Sequence, residues 1–346
     1  MIKRIIIRNY RSIKEIDLEL GQFHLLVGPN GSGKSTFLDA LEFVRDFFEI
    51  GLRKAVEKRT GTVLDDLTFL RRGGNIEFSL VIDSQFYFEN LEGKEDIKFS
   101  VFICNDTEKG VYSNYFVNIP AGMGEDGKNF LSYIFCYLQL DSSAMRWPCS
   151  ALAGTVLERN GSNLARVVGR LRGDNQRSPN KRTRFKQTPI IKEWVHHLQY
   201  ALPGLAAIGW DRREADNAEY LILKYEDGLE CPSWLLSDGT LRMLALTLLA
   251  FLPPSAAIYM IEEPENGVHP RALEIIVRAL STVPQAQVFL STHSPLVVQH
   301  VDPAQLLCFS SGPEGTQVIP GSQHPILQQW DGTPDLATIF ASGILG

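Results

Sequence analysis

The sequence predicts an α/β protein whose main sheet is mostly parallel and covered by helices, with an antiparallel β subdomain and a helical, basic middle segment. Three observations predict this fold class. Strand patterns alternate with helical patterns over residues 220–309, β-rich stretches alternate with turns over residues 75–118, and residues 141–203 are rich in Arg, Asn and Ser. Strands that alternate with helices are typical of a parallel sheet, and short strands separated by turns are typical of an antiparallel one.

The composition is that of an ordinary globular protein. Of 346 residues, 44% are hydrophobic and 21% are charged, which excludes general disorder, and the net charge of −6 argues against a uniformly basic nucleic-acid coat. Five scattered cysteines without a C-x-x-C pair fit a reducing compartment. The longest apolar stretch, residues 243–252, is half of the ~20 residues of a membrane span, and the N-terminus does not resemble a signal peptide. We therefore expect a cytoplasmic protein with no membrane partner.

The predicted elements fall into three segments. Residues 1–140 form an N-terminal lobe, residues 141–205 a helical basic insertion and residues 206–346 a C-terminal lobe. In the first lobe, strands are predicted at 5–7 and 23–27, in four β-rich runs over 75–118, and at 133–140. In the last lobe, strands are predicted at 220–225, 257–261, 288–291 and 306–309, with helices at 240–252 and 271–280.

A glycine-rich loop between a predicted strand and a predicted helix is the strongest functional signal. Residues 28–35 read GPNGSGKS and match the pattern G-x-x-x-x-G-K-[ST]. In such a loop the glycines let backbone N–H groups point at phosphate oxygens, and the following helix N-terminus adds a partial positive charge. Lys34 then reaches the β- and γ-phosphates, and the Ser35 hydroxyl binds Mg²⁺. We expect a nucleotide to be bound by Asn30, Gly31, Ser32, Gly33, Lys34, Ser35 and Thr36.

Two adjacent acids, Glu262 and Glu263, end the apolar strand pattern AIYMI. The carboxyl end of a buried parallel strand faces the ligand crevice of such a sheet. One carboxylate can therefore hold the Mg²⁺ of a bound nucleotide, and the next can polarise a water molecule. Paired acids also occur in solvated turns, and the phosphate loop favours the functional interpretation.

Two further motifs make the pattern specific. Residues 236–240 (LSDGT) open an apolar helical pattern, and residues 291–295 (STHSP) follow a predicted strand. With the phosphate loop and the acidic strand, they resemble the ordered motifs of ABC-type ATPases, most closely the branch of SMC, RecF and OLD proteins. The phrases RNYRS (8–12) and EPENGVHP (263–270) are also typical of that branch. The resemblance implies an ABC-ATPase head that uses ATP and Mg²⁺; it covers residues 1–45 and 230–300 and is weak between them.

The resemblance implies roles for residues near the phosphates. Lys34 and Ser35 hold phosphate and Mg²⁺, Glu263 is the catalytic base, and His293 senses the γ-phosphate. Glu262 stands where most ABC proteins have an Asp that faces the metal ion, so its side chain is one methylene longer.

The resemblance also implies contacts further from the reacting bond. Ser237 and Gly239 cap the γ-phosphate of the ATP held by a second subunit, which makes the active unit a head-to-tail dimer. Asn266 lies in the loop that crosses the dimer seam, and Arg11 resembles a phosphate-contacting arginine. Gln139, at the end of a predicted strand, is our candidate for the metal-binding glutamine; its alternative is an exposed polar residue.

A basic stretch lies in the weakly resembling middle of the chain. Residues 159–186 contain nine Arg or Lys residues and a single acid, Asp174. So strong a local asymmetry predicts contact with nucleic-acid phosphates. The alternative is a basic loop that is solvated or pairs with the acidic remainder of the protein.

The motifs favour an ATP-hydrolysing, DNA-associated ATPase that works in repair or in defence against phage. Since about 50 residues follow His293, we expect an effector activity such as a nuclease to reside on a separate partner chain. The alternative is a slow nucleotide-dependent switch that controls a partner protein without binding DNA. A transporter subunit is disfavoured because the signature reads LSDGT rather than LSGGQ.

Overall fold

The computed structural model describes residues 1–60, 64–83, 96–106, 110–118, 131, 133–172, 184–253, 257–330, 332–333 and 335–345. The chain forms two compact units. Unit 1 comprises residues 1–137, 254–260 and 285–346, and unit 2 comprises residues 138–253 and 261–284. Both units are therefore built from segments that are discontinuous in the sequence. The three-segment division given above stays a prediction about domains.

Fourteen strands and ten α-helices are found in the described part of the chain. The strands are β1 Ile2–Tyr10, β2 Ile13–Glu19, β3 Phe23–Val27, β4 Ile76–Ile82, β5 Ile97–Asp106, β6 Gly110–Asn118, β7 Phe135–Leu138, β8 Leu205–Arg212, β9 Glu219–Tyr225, β10 Glu230–Pro232, β11 Ala257–Glu262, β12 Ala286–Ser291, β13 Leu306–Gly312 and β14 Gly315–Pro320. The helices are α1 Lys34–Ile50, α2 Leu52–Thr60, α3 Ser142–Arg146, α4 Leu164–Leu171, α5 Pro189–Leu198, α6 Asp238–Leu248, α7 Pro270–Leu280, α8 Pro295–Val298, α9 Pro325–Gln328 and α10 Leu336–Ala341.

The central sheet has six strands in the order β14-β13-β3-β12-β11-β7. Strand β3 pairs in parallel with both β12 and β13, and β14 adds an antiparallel edge. All five residues of β3 are buried, as expected for a strand covered on both faces. Helix α1 packs against this sheet, where the ring of Phe37 meets those of Phe289 and Phe309 edge-on at 5.8 Å. The predicted α/β class with a mostly parallel, helix-covered sheet is confirmed.

A second sheet of unit 1 is antiparallel, with the order β2-β1-β4-β5-β6. In β4 every second side chain is buried, so one face of the sheet joins the core and the other faces water. The predicted subdomain over 75–118 is confirmed for β4, β5 and β6. The β-rich run at residues 86–89 lies outside the described residues.

Unit 2 carries the middle of the chain. Its three-stranded antiparallel sheet has the order β10-β9-β8 and packs with α4 and α5. Trp194 of α5 is fully buried and donates its indole N–H to Thr247 Oγ1 of α6 at 2.9 Å. Helix α6 begins at Asp238, two residues before the predicted start, because Ser237 caps it.

No helix among the described residues combines the length and the apolar character needed to cross a bilayer.

Candidate functional site

The phosphate loop of unit 1 connects β3 to α1. Gly28, Gly31 and Gly33 have φ values of +143°, +76° and +106°, which side-chain-bearing residues rarely adopt. A Cβ on Gly28 would lie 2.2 Å from the carbonyl oxygen of Phe309, and a Cβ on Gly33 would lie 2.2 Å from Thr316 Oγ1. Close packing against β13 and β14 therefore requires glycine at these two positions and fixes the curl of the loop.

The polar groups of this loop fit a triphosphate. Lys34 is 5% exposed, and its ammonium group donates to the carbonyl oxygens of Gly28 and Pro29 at 2.7 and 2.9 Å. The ammonium group is thus held inside the phosphate loop. Ser32 Oγ is buried and has no hydrogen-bond partner among the described residues, so it can bond to a phosphate oxygen. Ser35 is exposed in the first turn of α1, where its hydroxyl is accessible to Mg²⁺.

Arg11 lies in a tight turn beside the start of α1. Its φ of +51° is strained for a non-glycine residue, and its guanidinium lies 3.2 Å from Asp39 Oδ2 of α1. The next residue, Ser12, donates to Thr36 Oγ1 at 3.2 Å and accepts from Thr316 Oγ1 at 2.9 Å. The structure therefore places Arg11 next to the phosphate loop.

Asp39 belongs to an ion network that the sequence analysis missed. Its carboxylate accepts from the Tyr10 hydroxyl and, at 2.8 Å, from Arg59 Nε of α2. Arg59 also bonds to Asp46 at 2.8 Å. Burial alone would raise the pKa of Asp46, but hydrogen bonds from Lys58, Arg45 and Arg59 hold it below its ordinary value. The sequence signal was the acidic side chains at 39, 42 and 46, spaced three and four residues apart and therefore on one face of the helix.

His293 lies at the same edge of the central sheet as the phosphate loop. It follows β12, the parallel neighbour of β3, and the backbone N–H of Thr292 donates to Leu26 at 3.2 Å. The imidazole is exposed. Within unit 1 the phosphate loop and His293 thus lie at the carboxyl ends of the neighbouring strands β3 and β12, and Arg11 lies beside α1, the helix that follows the loop.

Unit 2 contains a polar, open cavity of about 630 Å³. It is lined by Gln139, Leu140, Asp141, Arg242, Glu262, Glu263 and Asn266. Glu262 Oε1 is buried and has no hydrogen-bond partner in the described part of the chain, which is the state expected of an oxygen that accepts a metal ion. The Gln139 side chain accepts from Arg159 Nη2 at 3.3 Å and shares this lining. The structure therefore brings Gln139, Glu262 and Glu263 to one cavity.

Glu263 occupies a strained turn at the end of β11. Its φ of +49° costs about 1–2 kcal/mol for a residue with a Cβ. The side-chain amide of Asn266 donates to the Glu263 carboxylate, and the Asn266 backbone N–H donates to the Glu263 carbonyl at 3.1 Å. The turn aims an exposed carboxylate out of the strand, and Asn266 holds it there.

The LSDGT turn begins α6. Ser237 is the N-cap: its Oγ accepts from the Thr240 backbone N–H at 3.1 Å while the side chain stays exposed. Asp238 pairs with Arg146. A Cβ on Gly239 would lie 2.4 Å from the carbonyl oxygen of Gly267, so this glycine is needed for packing against the turn that follows Glu263.

Three of the nine basic residues point into unit 2. Arg166 pairs with the fully buried Glu219 at 2.7 Å, Arg172 is 1% exposed, and Arg184 pairs with acids at 3.2 and 3.3 Å. These three arginines stabilise unit 2 from within. They are therefore poorly placed to contact nucleic-acid phosphates, as the DNA hypothesis requires of them. Exposed positions are Arg159, Arg170 and Lys186. Arg177, Lys181 and Arg182 lie outside the described residues.

The oxygen donors suit magnesium better than a metal bound by a protein cage. No group of three or more His, Cys, Asp or Glu side chains that could hold a metal occurs among the described residues. Mg²⁺ commonly uses one or two protein oxygens together with phosphate oxygens and water. In unit 1 the Ser35 hydroxyl is such an oxygen, and the cavity of unit 2 has others on Glu262 and Gln139.

The fold and motifs define the class of the protein: it is an ABC-type ATPase of the branch that contains RecF, OLD and SMC proteins. The chain belongs to the family described as "AAA domain, putative AbiEii toxin, Type IV TA system", whose model matches residues 23–149 and 156–299.

Two curated relatives support this placement. An OLD nuclease of Thermus scotoductus is 27% identical over 336 aligned positions, covering 86% of this chain and 59% of the relative. This chain thus spans less than two thirds of that protein. The DNA replication and repair protein RecF of Proteus mirabilis is 48% identical over 42 residues, 12% of each chain.

Solved SMC heads share the fold. An SMC head bound to the C-winged helix domain of ScpA superposes with a TM-score of 0.63 at 15% identity, covering 92% of this chain and 97% of that one. The SMC head of Thermotoga maritima gives 0.53 at 14% identity, covering 92% and 98%. At these identities the likeness concerns the fold.

Proposed function

We propose that this protein binds and hydrolyses ATP with Mg²⁺, and that two copies assemble head-to-tail around two ATP molecules. The observation that carries the proposal is the phosphate loop, whose three glycines have positive φ values and whose Lys34 is already held within it.

Each proposed role follows from the chemistry of the side chain. Lys34 and the loop N–H groups, with Ser32, bind the phosphates, and the Ser35 hydroxyl offers an oxygen to the metal ion. Glu262 and Gln139 offer metal-binding oxygens in the cavity of unit 2. Bound Mg²⁺ neutralises phosphate charge. Glu263 accepts a proton from the attacking water, because its carboxylate is exposed and oriented by Asn266. His293 and Arg11 donate to phosphate oxygens.

The dimer is proposed because the LSDGT turn is built to receive an anion. Ser237 is exposed at the N-terminus of α6, where unpaired backbone N–H groups and the helix dipole favour negative charge. A phosphate loop leaves the far side of the γ-phosphate uncovered. The turn of a second copy can cover it and would make assembly depend on ATP.

We further propose that the protein associates with DNA and acts with a separate effector. The exposed Arg159, Arg170 and Lys186 can contact phosphates; one curated relative is named a nuclease and another a DNA replication and repair protein. A solved SMC head is bound to a domain of another protein. The three internally paired arginines favour the second candidate, a nucleotide-dependent switch that controls a partner without DNA.

Steady-state ATPase assays with and without DNA, combined with light scattering, test the proposal. The parent is expected to hydrolyse ATP, and Glu263→Gln to bind ATP, lose turnover by roughly 10²-fold or more, and accumulate as an ATP-dependent dimer. Lys34→Ala should bind no ATP and stay in the apo state. A Glu263→Gln protein that stays monomeric at saturating ATP and Mg²⁺ would rule out ATP-driven assembly.

A further inference from the structure

Arg146, the last residue of α3, contacts the LSDGT turn at several points. One guanidinium nitrogen donates to the carbonyl oxygen of Leu236 and lies 3.5 Å from that of Trp234. The other donates to the carboxylate of Asp238. The link is reciprocal, since Ser233 Oγ donates to the Arg146 carbonyl at 2.9 Å. A single arginine fork thus holds the backbone before Ser237 and the side chain after it.

The opposite side of the turn is held as well. Gly239 packs against the carbonyl oxygen of Gly267 without room for a Cβ, and Asp238 Cβ lies 3.8 Å from the Cβ position of Gly267. Residues 236–239 are therefore fixed between Arg146 and the turn that follows Glu263. Ser237 Oγ accepts from the Thr240 N–H and lies 2.8 Å from Thr240 Oγ1, but the side chain is exposed, so a ligand can reach its hydroxyl and the N-terminus of α6.

Asp238 raises an electrostatic problem that Arg146 resolves. A carboxylate adjacent to Ser237 repels a phosphate bound there, because two like charges a few ångströms apart repel one another. The Arg146 side chain is 27% exposed and pairs directly with this carboxylate. The pair makes the local charge near zero, so the helix dipole and the N–H groups determine which ion binds.

We propose that Arg146 is a positioning residue: it neutralises Asp238 and fixes the turn so that Ser237 can bind the γ-phosphate of ATP held by a second copy. The inference rests on the proposed ATP-dependent dimer and deepens it. It also explains how an aspartate is accommodated in a signature turn that must approach a triphosphate.

Arg146 also connects this turn to the cavity of unit 2. It lies on the same short segment as Gln139, which lines that cavity. Asp141 caps α3 by accepting from the Ser143 N–H at 2.8 Å, and Arg242 of α6 donates to Ser142 Oγ at 3.3 Å. Helix α3 thus begins after Gln139 in the sequence, ends at Arg146 and contacts α6.

The test uses the full chain in the Glu263→Gln background. The dissociation constant of the ATP-dependent dimer is measured by sedimentation for Arg146→Ala, Asp238→Asn and the double variant, and fluorescent-ATP binding is measured in parallel. Arg146→Ala should weaken the dimer by about 10-fold or more, since it removes charge-assisted hydrogen bonds. ATP binding by the phosphate loop should stay within about twofold, because the bonds that Arg146 makes lie within unit 2 and the loop belongs to unit 1.

If Arg146 acts by neutralising Asp238, the double variant has a predictable dimer affinity. Asp238→Asn should recover at least part of the affinity lost in Arg146→Ala, which a purely structural role for Arg146 does not predict. Arg146→Lys keeps the charge but loses the two-pronged guanidinium, so its dimer dissociation constant should lie between those of the parent and Arg146→Ala. It replaces the alanine variant in the test if that variant has a much lower melting temperature. Arg213→Ala, which removes an exposed Arg–Asp pair of the same unit, is the matched control and should change nothing.

The outcomes separate the two claims. If the Glu263→Gln parent dimerises and Arg146→Ala dimerises equally well, or if Asp238→Asn rescues nothing, the role given to Arg146 is wrong while the proposed function stands. If the parent itself shows no ATP-dependent dimer, both are wrong.

Discussion

The ideal Cβ position of Gly239 lies 2.4 Å from the carbonyl oxygen of Gly267, so the start of α6 and the turn after Glu263 touch backbone to backbone. The turn that is proposed to serve a second copy's ATP is therefore in direct contact with the turn that carries this copy's own proposed base.

Gly239→Ala should force these two turns apart. Overpacking of this kind costs about 1–3 kcal/mol in the free energy of unfolding, and displacement of the Glu263 turn should lower turnover more than ATP affinity. Urea unfolding and steady-state kinetics measure the two effects. Gly312→Ala is the control, because its Cβ would meet nothing within 4 Å. Equal stability and turnover in the two variants would show that the contact relaxes freely.

Glu262→Gln should separate metal binding from folding. Glu262 Oε1 is buried without a partner among the described residues, so the loss of its charge removes no internal ion pair there. We expect the Mg²⁺ concentration for half-maximal ATPase activity to rise by roughly 10-fold or more, with no loss of melting temperature. Glu274→Gln, an exposed acid on α7, is the control. An unchanged Mg²⁺ requirement would show that Glu262 is not a metal ligand.

Arg59→Ala should destabilise unit 1 strongly. The Arg59 side chain is 4% exposed and bonds to both Asp39 and Asp46, so its removal leaves two carboxylates short of a cation. Because Asp39 keeps Arg11 and Asp46 keeps Arg45 and Lys58, the cost should be that of lost charge-assisted hydrogen bonds, about 1.5–3 kcal/mol in the free energy of unfolding. Arg53→Ala on the same helix, where the side chain is 90% exposed, should cost less than about 1 kcal/mol in the same urea titration. Comparable losses would mean that the network adds little.

The same network predicts a direction for pH dependence. The pKa of Asp46 is held below its ordinary value of 3.8, so folding favours the ionised form. Its contribution to stability is full above pH 3.8 and is lost as pH falls through the lower folded value. Urea midpoints of the parent should therefore fall more steeply on acidification below that pH than those of Asp46→Asn. Parallel curves would contradict this assignment.

DNA binding should depend on the exposed members of the basic stretch. Changing Arg159, Arg170 and Lys186 to Glu should weaken DNA binding and flatten the log–log salt dependence by about 0.9 for each lost phosphate contact. Arg172 and Arg184 are excluded from the set because their internal bonds support unit 2. Arg53, Lys54 and Arg213 changed to Glu match the charge change elsewhere. If both triple variants bind DNA alike, the stretch has another role.

Local patterns allowed much of this fold to be predicted. The phosphate loop was placed correctly between β3 and α1 because its glycines are needed by the loop's own backbone. Strand β8 was missed, since its Ala and Gly residues suit a strand only in context: a Cβ on Gly209 would lie 2.6 Å from the Phe185 ring. Strand β2 was missed because its first apolar residues, Ile13 and Ile16, are three apart and do not alternate.

The site was predictable where chemistry is carried by adjacent residues and not where it depends on distant ones. Glu262 and Glu263 follow one another in the sequence. The contacts of Arg146 with residues 233–238 join segments about 90 positions apart, and neither composition nor residue spacing predicts them. For the same reason the sequence analysis treated Arg172 as a surface cation, although the folded protein buries it.

The discontinuity of unit 1 has a consequence for the order of events on the ribosome. Strand β3 pairs with β12 and β13, so Phe23 cannot pair until its partner Val288 has been synthesised. At about 5–20 residues per second, that delay is roughly 13–50 seconds, during which a strand that is fully buried in the folded protein has no parallel neighbour to pair with. Most of unit 2 emerges in the interval and can begin to fold first. A nascent chain thus acquires its nucleotide-binding loop late in translation, and until then β3 is a natural client for chaperones.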